Sequence, residues 1–395
     1  MRVSEFSRVF YLDHTSKWSG GEIALFRTLT SLDRGKIDPV LLLATEGEFA
    51  VRLRAASLET AIVPLEERLR TAHKDTLGRE IWRDVSMAMT CLRYALLLAP
   101  ILRRRKADLI HCNSLKSDIY GALAGRIAGI PVIWHVRDHI DPSYLPHRVV
   151  TVFRRLARSI PSGVLTNSFS TEGKLFPEGA GRQRRRVVYD GLMDSELQTP
   201  CPLPFDHWNH SLPKIGLLGR IVPWKGQHIF LEAAKKLTDR GVKAHFQVIG
   251  APLFGEAVYE AQLRQQAVSL GDRMSFLGFR SDVPELLRGL DILVHCSITP
   301  EPFGQVVIEG MAEGLPVVAS DGGGVQEIIE QGVNGLRTPM GNASALADAL
   351  ERLLLNPKEA SALGQAAYKH VREKFTAAHS ARAVESFYQE LLGRE

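Results

Sequence analysis

Cysteine is scarce in this chain. Four cysteines, Cys91, Cys112, Cys201 and Cys296, are scattered over 395 residues and form no C-x-x-C pair. That excludes a disulfide framework and a thiolate metal site, and it fits a reducing compartment. Long apolar runs are also missing. The longest, Tyr94 to Leu102, contains Pro100 and is too short to cross a bilayer. The N-terminus shows no apolar segment behind a basic start, so no signal peptide is expected and a cytoplasmic location is. No Asp-x-Asp occurs anywhere. A divalent ion held against phosphates usually needs such a carboxylate cluster, so neither a metal nor another cofactor is expected. Neither charge sign dominates: 49 basic against 44 acidic side chains leave a net +5. This mild excess tolerates an anionic substrate or an anionic membrane face, and no nucleic-acid partner is expected. There is no short repeat and no low-complexity tail.

What is present is an alternation of strand-like and helical segments. The length exceeds one comfortable domain, so two are expected. In the first half VFYLDHT (Val9–Thr15), PVLLLAT (Pro39–Thr45), TAIVPL (Thr60–Leu65), DLIHCNS (Asp108–Ser114), PVIWHVRDH (Pro131–His139), SGVLTNS (Ser162–Ser168) and RVVYDG (Arg186–Gly191) read as strands separated by helices. KIGLLGR (Lys214–Arg220), HFQVIG (His245–Gly250), MSFLG (Met274–Gly278), DILVHC (Asp291–Cys296) and PVVAS (Pro316–Ser320) repeat the pattern in the second. The fold class is therefore α/β with parallel sheets. Polar groups just after such strands fall at the carboxyl edge of the sheet, where ligands bind. His111, Asn113, His135, Arg137, Asp138, His139 and Asn167 lie near that edge. The composition changes abruptly from Ser195 to Pro213, where prolines suit a semi-rigid linker. The expected division is an N-terminal domain over 1–197, a linker over 198–213, and a C-terminal domain over 214–376. A final amphipathic helix covers 377–395.

Two basic stretches stand outside this pattern. Arg79–Lys106 is helical and apolar with basic ends. It reads either as a long packed helix or as a peripheral contact with the inner face of a membrane. Arg182–Arg186 (RQRRR) reads as a solvated basic loop, with contact to an anionic acceptor as the alternative.

The densest chemistry lies in TPEPFGQVVIEGMAEGLPVVASDGGGVQEII, which begins at Thr299. Glu301 sits on a loop and Glu309 on the helix that follows. Bare N–H groups and the helix dipole at such a helix start attract phosphate. The layout suits a sugar joined to a nucleoside diphosphate, with one carboxylate for sugar hydroxyls, amides for phosphate oxygens and one carboxylate for ribose. An ordinary loop–helix junction with two solvated glutamates is the competing reading. Gly219 and Arg220 end the strand at Lys214–Arg220, and Lys225 follows on the connecting loop. Two cations there would neutralise a diphosphate and the charge that builds on it as it leaves. In the first half, WSGGEIALFRTL places Gly20 and Gly21 at a strand-to-helix turn where backbone can approach a ligand closely, although it is not a G-x-G-x-x-G.

LLGRIVPWKGQHIFLEA, the EPFGQVVIEGMAEGLPVVAS run and the Gly323-Gly324-x-x-Glu327 segment together resemble the retaining glycosyltransferase family 4, of the GT-B fold. WSGGEIALFRTL and the VVYDG turn resemble that family more loosely, and Asp190 stands where it usually has Asn. The resemblance implies two Rossmann-like domains facing a cleft, with the final helix returning to the first. It implies a hexose-type donor bound mainly by the second domain: Glu301 at the sugar hydroxyls and the backbone of Phe303, Gly304 and Gln305 at the sugar and phosphate. Glu309 would hold the ribose, and Gly219, Arg220 and Lys225 would lie around the diphosphate. Gly20 and Gly21 would close over it, and Phe279 would be near the base. Where the family often has a histidine after the fifth strand, this chain has Arg137 and Asp138 flanked by His135 and His139. His135 and Arg137 share one side of an extended strand and are the candidates near the reacting carbon, with His139 left open. The partners implied are a nucleotide-sugar donor and a carbohydrate, lipid-linked or small-molecule acceptor. A sugar-nucleotide epimerase, another GT-B enzyme such as a phosphorylase, and a non-catalytic nucleotide-sugar sensor are the alternatives. Oligomeric state is not legible.

Overall fold

The structure is a computed structural model that describes residues 7–70, 81–179, 184–202, 204–208, 212–253 and 255–393, without the side chains of 68 and 81–85. The chain divides into two compact units: one spans residues 1–191 and 377–395, the other Leu192–Thr376.

Among the described residues, the first unit holds seven strands: β1 (Ser7–Asp13), β2 (Ile37–Leu43), β3 (Glu59–Ile62), β4 (Leu109–Cys112), β5 (Val132–Val136), β6 (Gly163–Thr166) and β7 (Arg184–Val187). They form one parallel sheet in the order β3-β2-β1-β4-β5-β6-β7. Chain order reverses between β1 and β4, which pair at Val9↔Leu109 and Tyr11↔His111. Strand β1 shows why both faces are covered. Phe10 and Leu12 enter a core with Val40, Leu42, Trp134 and the helix Ile81–Arg104. Val9 and Tyr11 enter the opposite core with Leu41, Ile133 and Leu165. This alternation of side chains is the period of two of an extended strand. The helix Ala377–Leu392 completes that second layer through Ala381, Val384, Phe387 and Tyr388. It packs so closely that a Cβ at Gly163 would stand 2.7 Å from the Phe387 ring.

The second unit repeats the plan with β8 (Lys214–Leu218), β9 (His245–Ile249), β10 (Met274–Gly278), β11 (Ile292–His295), β12 (Val317–Ser320) and β13 (Leu336–Thr338). Their order is β10-β9-β8-β11-β12-β13, and the reversal falls between β8 and β11. The short edge strand β13 was not anticipated from the sequence.

Three segments gain definition. The helix Ile81–Arg104 buries Cys91, Tyr94, Ala95, Leu98, Ala99 and Leu102, spaced three and four apart, in the first unit's core. Its other side leaves Met89, Leu92, Leu96 and Leu97 exposed, Leu96 at 54%. Residues Arg79 and Glu80 of that stretch lie outside the described residues. The RQRRR stretch is in its described part the edge strand β7 rather than a loop; Arg182 and Gln183 lie outside the described residues. Arg186 donates to Glu390 and, at 3.0 Å, to the Ala383 carbonyl, so the basic strand holds the C-terminal helix. The proline-bearing stretch after Ser195 runs along the second unit. Arg372 donates to the Leu197 and Thr199 carbonyls at 2.8 Å, and the Trp208 indole donates to the Leu354 carbonyl at 2.9 Å.

Candidate active site

In the second unit β8 and β11 pair at Ile215↔Ile292 and Leu217↔Val294, so the loops that leave them are neighbours. The chain leaves β8 through Gly219 and Arg220, makes one 3-10 turn at Pro223–Lys225, and enters the helix Gln227–Asp239. Gly226 is required at that junction. Its φ is +74°, and a Cβ there would lie 1.9 Å from the Cys296 carbonyl oxygen. The Ile298 amide donates to the Trp224 carbonyl at 2.9 Å and completes the contact between the loops.

This juxtaposition delivers Lys225 to Glu301. The ammonium donates to both carboxylate oxygens, at 2.7 and 2.8 Å. His295, at the end of β11, donates from Nε2 to Oε1 at 2.8 Å, and the Ser297 hydroxyl donates to the same oxygen. Burial alone would raise the Glu301 carboxyl. The Lys225 ammonium, and then His295, outweigh that and hold it well below the usual carboxylate range. The Trp224 ring lies 4.8 Å from Lys225 Nζ and 5.9 Å from the Arg220 guanidinium carbon, within cation–π reach of both. His295 and Ser297 were missed from the sequence; their place at the end of a strand before the Glu301 loop was the available signal.

The glycine run serves Glu301 from behind. Gly323 bridges to Glu301, and the Gly324 amide donates to the Glu301 carbonyl at 2.9 Å. A Cβ at Gly323 would meet that carbonyl at 2.0 Å, and one at Gly324 would meet the Pro302 carbonyl at 2.5 Å. Only backbone fits between these loops. Gly304 caps the helix Gln305–Ala312 with φ 119° and ψ 54°, which glycine alone adopts freely. Phe303 buries its ring against Phe375, centroids 5.8 Å apart. Glu309 is half-buried one turn into the helix, and Phe279 is 72% exposed just beyond β10.

The first unit has a second cluster at its own reversal point. Asn113, after β4, donates from Nδ2 to Asp13, the last residue of β1, at 2.9 Å. Arg137, just past β5, donates from Nε to Asn113 Oδ1 at 3.1 Å and pairs through Nη1 with Asp190. Both side chains of this ion pair are buried, at 7% and 3% exposure. The two departures from the family pattern are thus partners: arginine in place of histidine meets aspartate in place of asparagine. The helix Gly20–Thr30 begins beside them, since a Cβ at Gly21 would lie 4.0 Å from Arg137 Cδ. Glu22, in that helix's first turn, accepts from Ser19, and burial followed by Asp13 pushes its carboxyl up to about 8. His135 is buried at 2% exposure, with Arg137 Nη2 donating to its Nδ1 at 3.3 Å, so the two side chains do share a side. His139 lies beyond the strand and bonds Ser170 at 3.1 Å, while Asn167 accepts from Thr171 at 2.9 Å.

Two family models match this chain. "Glycosyl transferase 4-like domain" covers residues 19–191 and "Glycosyl transferases group 1" covers residues 205–370. The chain is a group 1 glycosyltransferase of the family 4 type. Its two doubly wound parallel sheets are those of the GT-B fold. This glycosyltransferase is 27% identical over 349 residues to 2-deoxystreptamine glucosyltransferase of Streptomyces kanamyceticus, covering 83% of this chain and 89% of that one. It is 24% identical over 352 residues to the UDP-Gal:alpha-D-GlcNAc-diphosphoundecaprenol alpha-1,3-galactosyltransferase of Escherichia coli, covering 86% and 88%. Among solved structures, Anabaena Alr3699/HepE in complex with UDP and glucose superposes with a TM-score of 0.81 at 25% identity, covering 97% of this chain and all of that one (100%).

Proposed function

We propose that this glycosyltransferase moves a hexose-type sugar from a UDP- or GDP-sugar to an acceptor hydroxyl, with retention at the anomeric carbon and without a metal ion. The observation that carries the reading is the Lys225–Glu301 pair where β8 and β11 part, with Arg220 on the same loop. Lys225 and Arg220 supply the positive charge that a metal would otherwise bring to a diphosphate, and their effect grows as negative charge collects on the departing phosphate. Glu301 is ionised and held by three side chains, yet a carboxylate retains lone pairs for sugar hydroxyls. Glu309 takes the ribose, and the backbone from Phe303 to Gln305 takes the sugar and phosphate. The leaving diphosphate accepts the acceptor's proton on the face it vacates, so the new bond forms on that same face. The protein orients and stabilises charge without a covalent nucleophile. Support for UDP comes from the Anabaena complex and the Escherichia coli relative, and the acceptors named for the relatives include a lipid diphosphate and 2-deoxystreptamine.

Incubation with UDP-glucose, UDP-galactose or GDP-mannose, each with and without candidate acceptors, tests the reading by mass spectrometry. One donor should be consumed in an acceptor-dependent way, giving an α-linked product at a rate that EDTA leaves unchanged. Acceptor-independent epimerisation, binding without turnover, an inverted product or a strict metal requirement would each overturn it.

The exposed stripe Met89, Leu92, Leu96 and Leu97, beside the exposed Arg93, Arg103 and Arg104, supports peripheral docking on an anionic membrane face. The helix is long and apolar enough to span by composition, but its packed side belongs to the first unit's core, which favours lying in the membrane plane. The protein should float with vesicles containing phosphatidylglycerol and much less with pure phosphatidylcholine, and a Leu96→Ser/Leu97→Ser variant should lose that binding. Equal partition of the variant and the parent would sink the idea.

A further inference from the structure

A buried amide of the second unit closes the loop that carries Arg220 and Lys225. Gln227 opens the helix Gln227–Asp239, directly after the Gly226 junction, and is 0% exposed. Its Nε2 donates to the Arg220 carbonyl at 2.8 Å. The orientation of the amide follows from that partner: a carbonyl only accepts, so the nitrogen must face it. Oε1 is thereby turned inward, where it meets no donor among the described residues. An unpaired buried acceptor is costly, and an apolar side chain of the same length would avoid that cost. Packing alone therefore gives no reason for an amide at this position. What the amide supplies is one bond, from the residue just past the loop back to its first cation.

The two ends of the loop are held by different neighbours. At its start the Gly219 amide donates to the Ile249 carbonyl at 2.9 Å and the Ile221 amide to the Ala251 carbonyl at 3.1 Å, which ties Arg220 to the end of β9. At its other end the Ile298 amide donates to the Trp224 carbonyl and Lys225 donates to Glu301, which ties Lys225 to the loop after β11. The 3-10 turn between them is closed within itself, from the Lys225 amide to the Val222 carbonyl at 3.0 Å and from the Gly226 amide to the Pro223 carbonyl at 3.1 Å. None of these bonds reaches from the Lys225 end to Arg220; the Gln227 bond does. It also completes the peptide between Arg220 and Ile221, whose N–H is the group that Ala251 receives, so that peptide is held on both sides. We infer that Gln227 is a positioning residue: its bond to the Arg220 carbonyl sets where the Arg220 guanidinium stands relative to the Lys225 ammonium. The consequence for transfer rests on the proposed reading, in which both cations grip the diphosphate. Arg220 is half-buried, so without the bond its carbonyl turns toward water and the side chain turns with it, while Lys225 stays on Glu301.

Gln227→Met keeps the length and bulk of the side chain and removes the donor together with the unpaired oxygen. The full chain and this variant are compared in two ways. The first, read with no nucleotide present, is amide hydrogen exchange over residues 220–227 and over β8 and β11. The variant should exchange about tenfold faster in the loop, with the strands unchanged. The second is calorimetry with UDP and with GDP, alongside steady-state rates on the matching donor. The nucleotide that the parent binds should bind the variant about tenfold more weakly, the scale of a small displacement in a preorganised site. KM for the donor should rise by more than kcat falls, because the two cations hold the diphosphate before the reaction as well as during it. A merely structural role predicts a lower melting temperature with faster exchange throughout the second unit, and that result overturns the inference. So does an unchanged loop, or an affinity within twofold of the parent. If Gln227→Met does not fold, Gln227→Leu reads the same two quantities. The exchange needs no ligand, so a loosened loop in a protein that binds neither nucleotide would indict the proposed reaction and leave the role of the Gln227 bond intact.

Discussion

Lys225→Ala should lower kcat/KM about 10²–10³-fold, the range seen when one preorganised donor to a developing anion is removed. Two losses combine. The diphosphate loses the cation closest to Glu301, and Glu301 loses the partner that donates to both of its oxygens at 2.7 and 2.8 Å. His295 and Ser297 remain, both on Oε1, so Oε2 keeps neither of these donors and the carboxylate can turn. The carboxyl pKa should rise, because burial is the largest influence on it and the Lys225 ammonium is the first to oppose burial. Its folded value is depressed in the parent, so its contribution to stability is present above the ordinary carboxylate pKa and is lost as pH falls through the folded value. In Lys225→Ala the acid limb of thermal stability should therefore begin at a higher pH. Steady-state rates with the donor identified above, together with melting temperatures from pH 3 to pH 7, would check both effects. Turnover within twofold of the parent would remove Lys225 from the site.

Asp190→Ala should be the most destabilising single change at the first unit's cluster. It strands the Arg137 guanidinium, whose side chain is only 7% exposed, without its carboxylate. Breaking a buried pair from one side costs about 3–5 kcal/mol, because the remaining charge stays desolvated. Arg137→His alone should be costly for the mirror reason, leaving a buried carboxylate against a ring that is neutral unless it captures a proton. The double variant Arg137→His/Asp190→Asn replaces the ion pair by a neutral pair, and should be more stable than the sum of the losses in Arg137→His and Asp190→Asn allows. Urea midpoints for Arg137→His, Asp190→Asn and the double would measure this coupling. Additive losses, with no recovery in the double, would show that the two departures are independent.

Much of this architecture was legible in the sequence because parallel strands buried on both faces appear as apolar runs. The β1, β4, β5, β8 and β11 segments were all visible in that way. The miss at β13 has a local cause: Leu336–Thr338 is three residues long and contains a charged residue, too short for any period. Strand β7 was read two residues late because Arg184 and Arg185 look like solvated charge, whereas Arg184 donates to the Glu390 carbonyl of the C-terminal helix and Arg185 faces Glu172. Lys225 and Glu301 were visible one at a time; their mutual contact was not, since it depends on β8 lying beside β11. His295 and Ser297 were hidden by the more conspicuous Pro302–Gly304 turn. The least legible feature was the buried contact of the Tyr388 hydroxyl with His111, 277 positions away in the chain.

The first unit takes its inner layer from both ends of the chain, with Val9 and Tyr11 at one end and Val384, Phe387 and Tyr388 at the other. A ribosome must therefore release every residue of the continuous unit Leu192–Thr376 before the helix Ala377–Leu392 can emerge. The unit begun before Leu192 is completed only after Thr376. Until then the face of the nascent sheet around Gly163 and Leu165 stays uncovered, and the newborn polypeptide carries an open hydrophobic flank while Leu192–Thr376 is being translated.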